Sequence, residues 1–331
     1  MAGNSIDSAN EQTDQPVASS LLRRVLSRLK PEEAVYLIFF LILAVISLTE
    51  GESHIHLAQD RLGYTFLAIG AGIITFRVNR LLYCSHGIPF NELAEEGRRS
   101  LRMLRDIFSV LMCWAMYASL KSILPELPLL DDWLIRADRL IFGFDPVIAL
   151  ESYIKPWLTH FMVVNYALLF AYIPAVFLLL TAKERRRGLR DFLLGLILAS
   201  FFGYLGYLAV PAIGPQYTQA DQFKVALWQK ETRLAEDILL LIDLNRVKRD
   251  CFPSMHVCLA SICLLYAWRY SRKLFWLLLP ATLCLIFSTV YLRYHYVIDV
   301  FAGLALAMAV FLSTPKLLNW WESHIGPLES A

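Results

Sequence analysis

A chain of 331 residues that is 57% hydrophobic and 18% charged, with a mean hydropathy of +0.50, lies below the roughly 25% charged residues of soluble domains and reads as a membrane protein. Its formal net charge of +2 is too small to draw a nucleic-acid partner. The six cysteines, Cys84, Cys113, Cys251, Cys258, Cys263 and Cys284, show no C-x-x-C spacing and fall mostly in apolar runs. They read as small hydrophobes rather than a metal cluster or a disulfide framework.

Residues 1–20, MAGNSIDSANEQTDQPVASS, are small and polar and read as a disordered tail. No apolar run follows Met1 closely enough for a secretory signal. LLRRVLSRLK is a short basic amphipathic piece suited to a membrane surface. A bilayer-crossing helix needs about 20 largely apolar residues. Eight runs approach that length: Ala34–Thr49, Leu62–Phe76, Ile107–Leu124, Leu158–Ala182, Phe192–Val210, Ser254–Trp268, Leu274–Leu292 and Tyr296–Leu312. Backbone groups in lipid must be satisfied internally, so these are expected to be helices. The expected fold is all-α, a polytopic membrane helical bundle with a six-helix core at 105–314. Before it, 21–104 holds the amphipathic segment, two further helices and a linker, and 315–331 is expected to be a cytoplasmic tail.

Basic residues gather in LLRRVLSRLK, in the linker holding Arg77, Arg80, Arg98, Arg99, Arg102 and Arg105, in KERRRGLR and in SRK. With eight alternating spans, all four fall on one side. The opposite side receives GESHIHLAQD, the acid-rich loop from Pro125 to Pro156 and the loop from Pro211 to Pro253. The positive-inside rule makes the first side cytoplasmic, together with both termini. The C-terminal HIGPLESA shows no eukaryotic retention signal, in keeping with a bacterial inner membrane.

Two histidine-bearing pieces then share the extracytoplasmic face. In CFPSMHV, Ser254 is placed to cap the following helix, with His256 in its first turn. In STVYLRYHYVIDVFAG, His295 falls at the junction of two spans, and Asp299 follows it by four residues, a spacing that on a helix puts both side chains on one face. Ionisable groups at membrane depth are costly and ask for a functional reason. An aspartate accepting the proton of one imidazole nitrogen makes the other a better nucleophile. A second histidine opposite it can protonate a leaving oxygen. A metal site from His256, His295 and Asp299 is a rival use of the same groups, against which the nearby cations Lys248, Arg249 and Arg293 speak.

These residues resemble the type 2 phosphatidic acid phosphatase superfamily. Pro253-Ser254-Met255-His256 matches its P-S-G-H motif with Met for Gly, and Ser288, His295 and Asp299 keep the spacing of its S-R-x5-H-x3-D motif. Tyr296, Ala302 and Gly303 fit the residues around that motif. The resemblance spans roughly 105–314 and implies a metal-independent phosphohistidine mechanism. In it His295 is the nucleophile, Asp299 its orienter and His256 the general acid, with no cofactor. Two features depart from the pattern. Thr289 stands where an arginine is expected, and the K-x6-R-P motif is absent, with PAIGPQY near its place. PAIGPQY and PSMH look more like the inositol phosphorylceramide synthase branch, whose members move a phosphorylated head group between lipids. Ser254, Arg293, Lys248, Arg249, Gln216 and Tyr217 are the candidates for holding the phosphate.

The expected function is therefore cleavage or transfer of a phosphoester on a membrane lipid at the extracytoplasmic face, and activity should survive a chelator. The partners are a lipid phosphate or phospholipid and, for transfer, an acceptor lipid. A transporter using the histidine–aspartate cluster for protons or substrate is the alternative, although it prefers charges nearer mid-bilayer. LAEDILLLIDL, Leu234 to Leu244, has the pattern of an interfacial helix, either lining a lipid access route or simply covering the core. Asn165, inside a span, is expected to bond between helices.

Overall fold

The computed structural model describes residues 29–49, 95–121, 123–124, 127–183, 185–228, 233–243 and 246–325. Their regular structure is helical, apart from an isolated bridge between Ala212 and Asp250. The longer helices are α1 (Pro31–Thr49), α2 (Glu95–Ala118), α3 (Asp131–Phe142), α4 (Pro156–Ala167) and α5 (Leu169–Ala182). They continue with α6 (Arg186–Ala209), α7 (Arg233–Asp243), α8 (Met255–Tyr270), α9 (Arg272–Tyr291) and α10 (Val297–His324).

Five described stretches are long and apolar enough to cross a membrane: Arg102–Lys121, Pro156–Ala182, Arg186–Ala209, Arg272–Tyr291 and Val297–His324. They correspond to five of the expected runs. The last continues past Leu312, so the boundary expected at 314 lies inside α10. The expected span Leu62–Phe76, the loop GESHIHLAQD and most of the N-terminal basic segment lie outside the described residues. An all-α polytopic bundle is the architecture these helices build.

Helix ends follow local chemistry. Ser254 and Ser271 cap α8 and α9, their hydroxyls accepting from Val257 N and Leu274 N. Such caps satisfy N–H groups that have no partner inside the helix. The run Pro156–Ala182 breaks at Leu168 into α4 and α5. Pro174 removes a backbone donor just downstream, where its ring also crowds the carbonyl of Phe170. Asn165, expected to bond across helices, instead donates to Phe161 O of its own helix at 2.8 Å.

The 16-residue helix α8 is the hub. At 1.5 Å per residue it is only about 24 Å long, and it packs against α5, α6, α9 and α10. Its buried residues, Val257, Cys258, Ala260, Ile262, Cys263 and Tyr266 among them, occur on every side, as expected of a helix enclosed all round. Outward faces of α9 and α10 instead carry exposed Trp276, Leu277, Leu283, Phe301 and Leu312. A contiguous apolar exterior of this kind suits lipid tails. Met255, standing where the resembled motif has glycine, is matched by a glycine elsewhere. A Cβ at Gly203 of α6 would meet Met255 Sδ at 2.0 Å.

The two ends of the bundle differ. At one end Arg105 pairs with Glu33 at 2.5 Å, Lys30 and Arg186 share Asp106 at 2.5 and 3.2 Å, and Arg187 meets Glu322 at 2.6 Å. These pairs tie the starts of α1 and α6 to the middle of α2 and to the far end of α10. The starts of α8 and α10, with both histidines, are at the other end. The basic groups and the histidines are thus separated by the length of the helices.

Candidate active site

The link between α9 and α10 presents His295. Leu292 N donates to Ser288 O at 2.9 Å and Arg293 N to Val290 O at 3.0 Å, after which Arg293 turns into the left-handed region at φ 64°. Tyr294 N and His295 N both then donate to Thr289 O at 3.1 Å. Thr289, at the position of the resembled motif's arginine, therefore fixes the His295 backbone through its carbonyl, while its hydroxyl bonds Ile286 O at 2.8 Å.

His295 does not lie on a helix, as the four-residue spacing suggests. Tyr296 is the N-cap of α10, and Asp299, in the first turn, reaches back to accept Tyr296 N at 2.9 Å. The next two orphan donors, Val297 N and Ile298 N, go to the two oxygens of Asp138 on α3, both at 2.8 Å. This arrangement folds His295 back over the helix start, with Nδ1 3.4 Å from Asp299 Oδ2. His295 is 3% exposed and Asp299 is fully buried. Burial holds the Asp138 carboxyl above its ordinary range, with its two backbone donors opposing that shift.

Helix α8 brings His256 to the same place. Ser254 N donates to Asp299 O at 3.1 Å, and a Cβ at Gly303 would stand 2.5 Å from Ser254 O, so α8 and α10 touch backbone to backbone. The His256 and His295 ring centroids are 6.3 Å apart. Tyr166 of α4 stacks on His256 at 4.1 Å, its hydroxyl 3.3 Å from Nδ1, and stacks on Tyr294 at 5.1 Å on its other side. Cys251, also buried, donates its thiol to Asp299 Oδ2 at 2.9 Å and lies 3.6 Å from His295 Nδ1. Burial and then the Asp299 charge hold that thiol well above its usual pKa, so it is protonated. Asp299 Oδ1 is buried and has no hydrogen-bond partner among the described residues.

The segment PAIGPQY closes one side. Asp131 of α3 accepts Ile213 N at 3.0 Å, Gly214 N at 2.9 Å and the Tyr296 hydroxyl at 2.9 Å. Gly214 has φ 98°, and a Cβ there would meet Tyr294 O at 2.6 Å. Both constraints demand glycine. Gln216 N bonds Arg293 O at 2.9 Å, while the side-chain nitrogens of Gln216 and Gln219 are buried donors without a partner among the described residues. Ser254 is spent as a cap, and Tyr217 is 56% exposed.

The expected cations are placed unevenly. Arg293 points away from His295: it lies 3.5 Å from Glu151, donates to Val225 O at 2.7 Å and covers the Phe223 ring at 3.7 Å. Arg249 donates to the carbonyls of Leu124 and Leu127, and Lys248 is exposed. His256, Tyr166 and Tyr294 stack into an aromatic box, and the cation of this segment that meets it is Arg246. Its guanidinium sits 5.0 Å over the Tyr294 ring, bonds Asp250 Oδ1 through Nε at 2.9 Å, and leaves Nη1 buried without a partner among the described residues. Asp250 is steadied in turn by the Tyr117 hydroxyl at 2.6 Å. Within RVKRD nothing in residue type separates Arg246 from its neighbours; the pairing with Asp250 four residues on is the only local signal.

The site therefore combines an imidazole oriented by a carboxylate, a second imidazole facing it, and unpartnered donor nitrogens nearby. A buried donor without a partner is costly, and an anion offers it one. A family model described as the PAP2 superfamily matches residues 132–313, which include every helix from α4 to α9, nearly all of α3 and α10 as far as Ser313. No curated protein and no solved structure gives a match. The residue pattern, the helical bundle and that match together place the chain in the PAP2 superfamily, the type 2 phosphatidic acid phosphatases, as a phosphatase-type membrane enzyme.

Proposed function

We propose that this protein cleaves or transfers a phosphoester on a membrane lipid at the extracytoplasmic face, through a phosphohistidine on His295. The observation that carries the reading is the meeting of His295, Asp299 and His256 at one helix-end junction, with ring centroids 6.3 Å apart. His295 Nδ1 faces Asp299, which leaves Nε2 free to attack phosphorus. As the N–P bond forms, the bond to the lipid oxygen breaks, and His256 gives that oxygen a proton. In the second step His256 takes a proton from the acceptor hydroxyl, whose oxygen attacks phosphorus and releases His295. Water as acceptor gives a phosphatase; a lipid hydroxyl gives a phosphotransferase.

Arg246 supplies the positive charge for the phosphoryl oxygens in place of the missing motif arginines, and the side-chain amides of Gln216 and Gln219 add neutral donors. Donors fixed in advance where charge develops are the largest usual source of catalysis. A lipid substrate suits a site at the ends of membrane-crossing helices. The amphipathic α7, with exposed Leu234 and Leu240 and buried Ala235 and Leu239, packs on α4 beside the Tyr166 wall. The basic far end of the bundle supports a cytoplasmic placement for that end by the positive-inside rule.

Purified protein in detergent with EDTA, given a panel of lipid phosphates with and without a diacylglycerol or ceramide acceptor, tests the reading. Release of inorganic phosphate or formation of a new phospholipid, either lost in His295→Ala, is the expected result. Turnover retained in a folded His295→Ala protein would refute it.

A further inference from the structure

Cys251 has no part in the chemistry above, yet it stands against the back of the histidine–aspartate pair. We infer that Cys251, His295 and Asp299 form an inhibitory site for a thiophilic divalent cation, with zinc the best-fitting ion. The donor set is one sulfur, one imidazole nitrogen and one carboxylate oxygen, all buried and all within 4.8 Å of one another. These are the ligand types zinc takes.

The spacing can be compared with what the ion needs. Zn–S bonds of about 2.3 Å and Zn–N or Zn–O bonds of about 2.0–2.1 Å, at tetrahedral angles, put S···N about 3.6 Å and N···O about 3.4 Å apart. The observed separations are 3.6 Å for Cys251 Sγ to His295 Nδ1 and 3.4 Å for Nδ1 to Asp299 Oδ2. Only Sγ to Oδ2, at 2.9 Å, is shorter than the roughly 3.6 Å required. That distance is set by the thiol hydrogen bond, which disappears when zinc replaces the thiol proton and the proton leaves to solvent. The unpartnered Asp299 Oδ1 gives the carboxylate a second oxygen to offer.

Local charge favours the cation. The carboxylates of Asp131 and Asp138 act on Cys251 and Asp299 from the α3 side. Arg246, whose charge also reaches Cys251, is itself paired with Asp250 at 2.9 Å. The consequence for activity rests on the proposed function. A metal on Nδ1 takes Asp299 away from its orienting role and withdraws electron density from the ring whose Nε2 must attack. An enzyme that needs no metal for turnover would still be stopped by one.

The test uses full-length protein in detergent, with Co2+ as an optical probe and Zn2+ as competitor. Wild-type protein should show the near-ultraviolet thiolate-to-cobalt charge-transfer band, and zinc should abolish it. Cys251→Ala and Cys251→Ser should both lack the band. Zinc should inhibit wild-type turnover reversibly to EDTA, and the half-inhibitory concentration should rise roughly 10–100-fold or more in the Cys251 variants, since even an outer-sphere partner is worth that much. No thiolate band in wild type, or equal zinc sensitivity in the variants, overturns the site. Because the band is read without substrate, a protein that binds cobalt through Cys251 but turns over no lipid would refute the proposed function and leave the metal site standing.

Discussion

Replacing Asp138 with alanine removes the acceptor of Val297 N and Ile298 N, the donors at the start of α10. Each bond is 2.8 Å long and has a carboxylate acceptor. A buried donor left unpaired costs about 1–3 kcal/mol. Both donors are only part-buried, so water reaches them once the side chain is gone, and the low end applies, about 2–4 kcal/mol together. Part of this is recovered because a buried carboxylate is no longer held there. The net expectation is about 2–3 kcal/mol of lost stability. Asp138→Asn keeps one acceptor oxygen but turns an NH2 towards the other backbone donor, so it should lose about as much. The functional loss should exceed what the stability loss implies, because Val297 and Ile298 belong to the same first turn of α10 as Asp299. A displacement of about 1 Å at a catalytic group costs about 100-fold in rate. The assay pairs thermal unfolding in detergent with kcat and KM, and the fall should be in kcat with KM little changed. Asp138→Ala protein with wild-type kcat would show that α3 does not position the catalytic turn.

Arg246→Ala should lower kcat roughly 100–1,000-fold, as loss of one preorganised donor does, and Arg246→Lys should recover part of it, whereas Lys248→Ala, at an exposed position, should stay within about twofold. Steady-state kinetics on the folded variants decides between these cations. Gly303→Ala drives a methyl to 2.5 Å from Ser254 O, which should cost about 1–3 kcal/mol by overpacking and push α8 from α10; lower thermal stability together with lower activity is expected. Gly203→Ala should be destabilising through Met255 Sδ, and Met255→Ala in the same chain should relieve it, giving a non-additive double-mutant cycle by thermal unfolding.

His256, His295 and Asp299, the residues of the proposed mechanism, could be singled out because they sit in two short segments, and the structure brings their side chains together. The four-residue step from His295 to Asp299 placed them together, although the reason is a helix start rather than a helix face. Tyr296, and not His295, is the cap, and only the backbone path from Thr289 onward reveals it. Five of the eight expected spans reappear among the described residues as stretches long and apolar enough to cross a membrane, whereas Ser254–Trp268 becomes the 16-residue α8, which is not one of them. What was hidden is what arrives across long sequence separations. Asp138 bonds a backbone far along the chain at Val297, Asp131 holds Gly214, and the cation in the aromatic box is Arg246 rather than Lys248 or Arg249. No local periodicity distinguishes those three cations; burial and the Asp250 pairing do. Cys251 read as an ordinary apolar-run cysteine because its neighbour, Asp299, comes to it from another helix.

The central claim is a covalent bond between phosphorus and His295, and trapping it is the direct measurement. Protein mixed with a lipid substrate labelled at phosphorus, quenched in alkali within one turnover and digested, should yield one labelled peptide containing His295. That label should be acid-labile and alkali-stable, as a phosphoramidate is, and absent from His295→Ala. Label on another residue, or full turnover with no labelled protein at any time, would contradict the account.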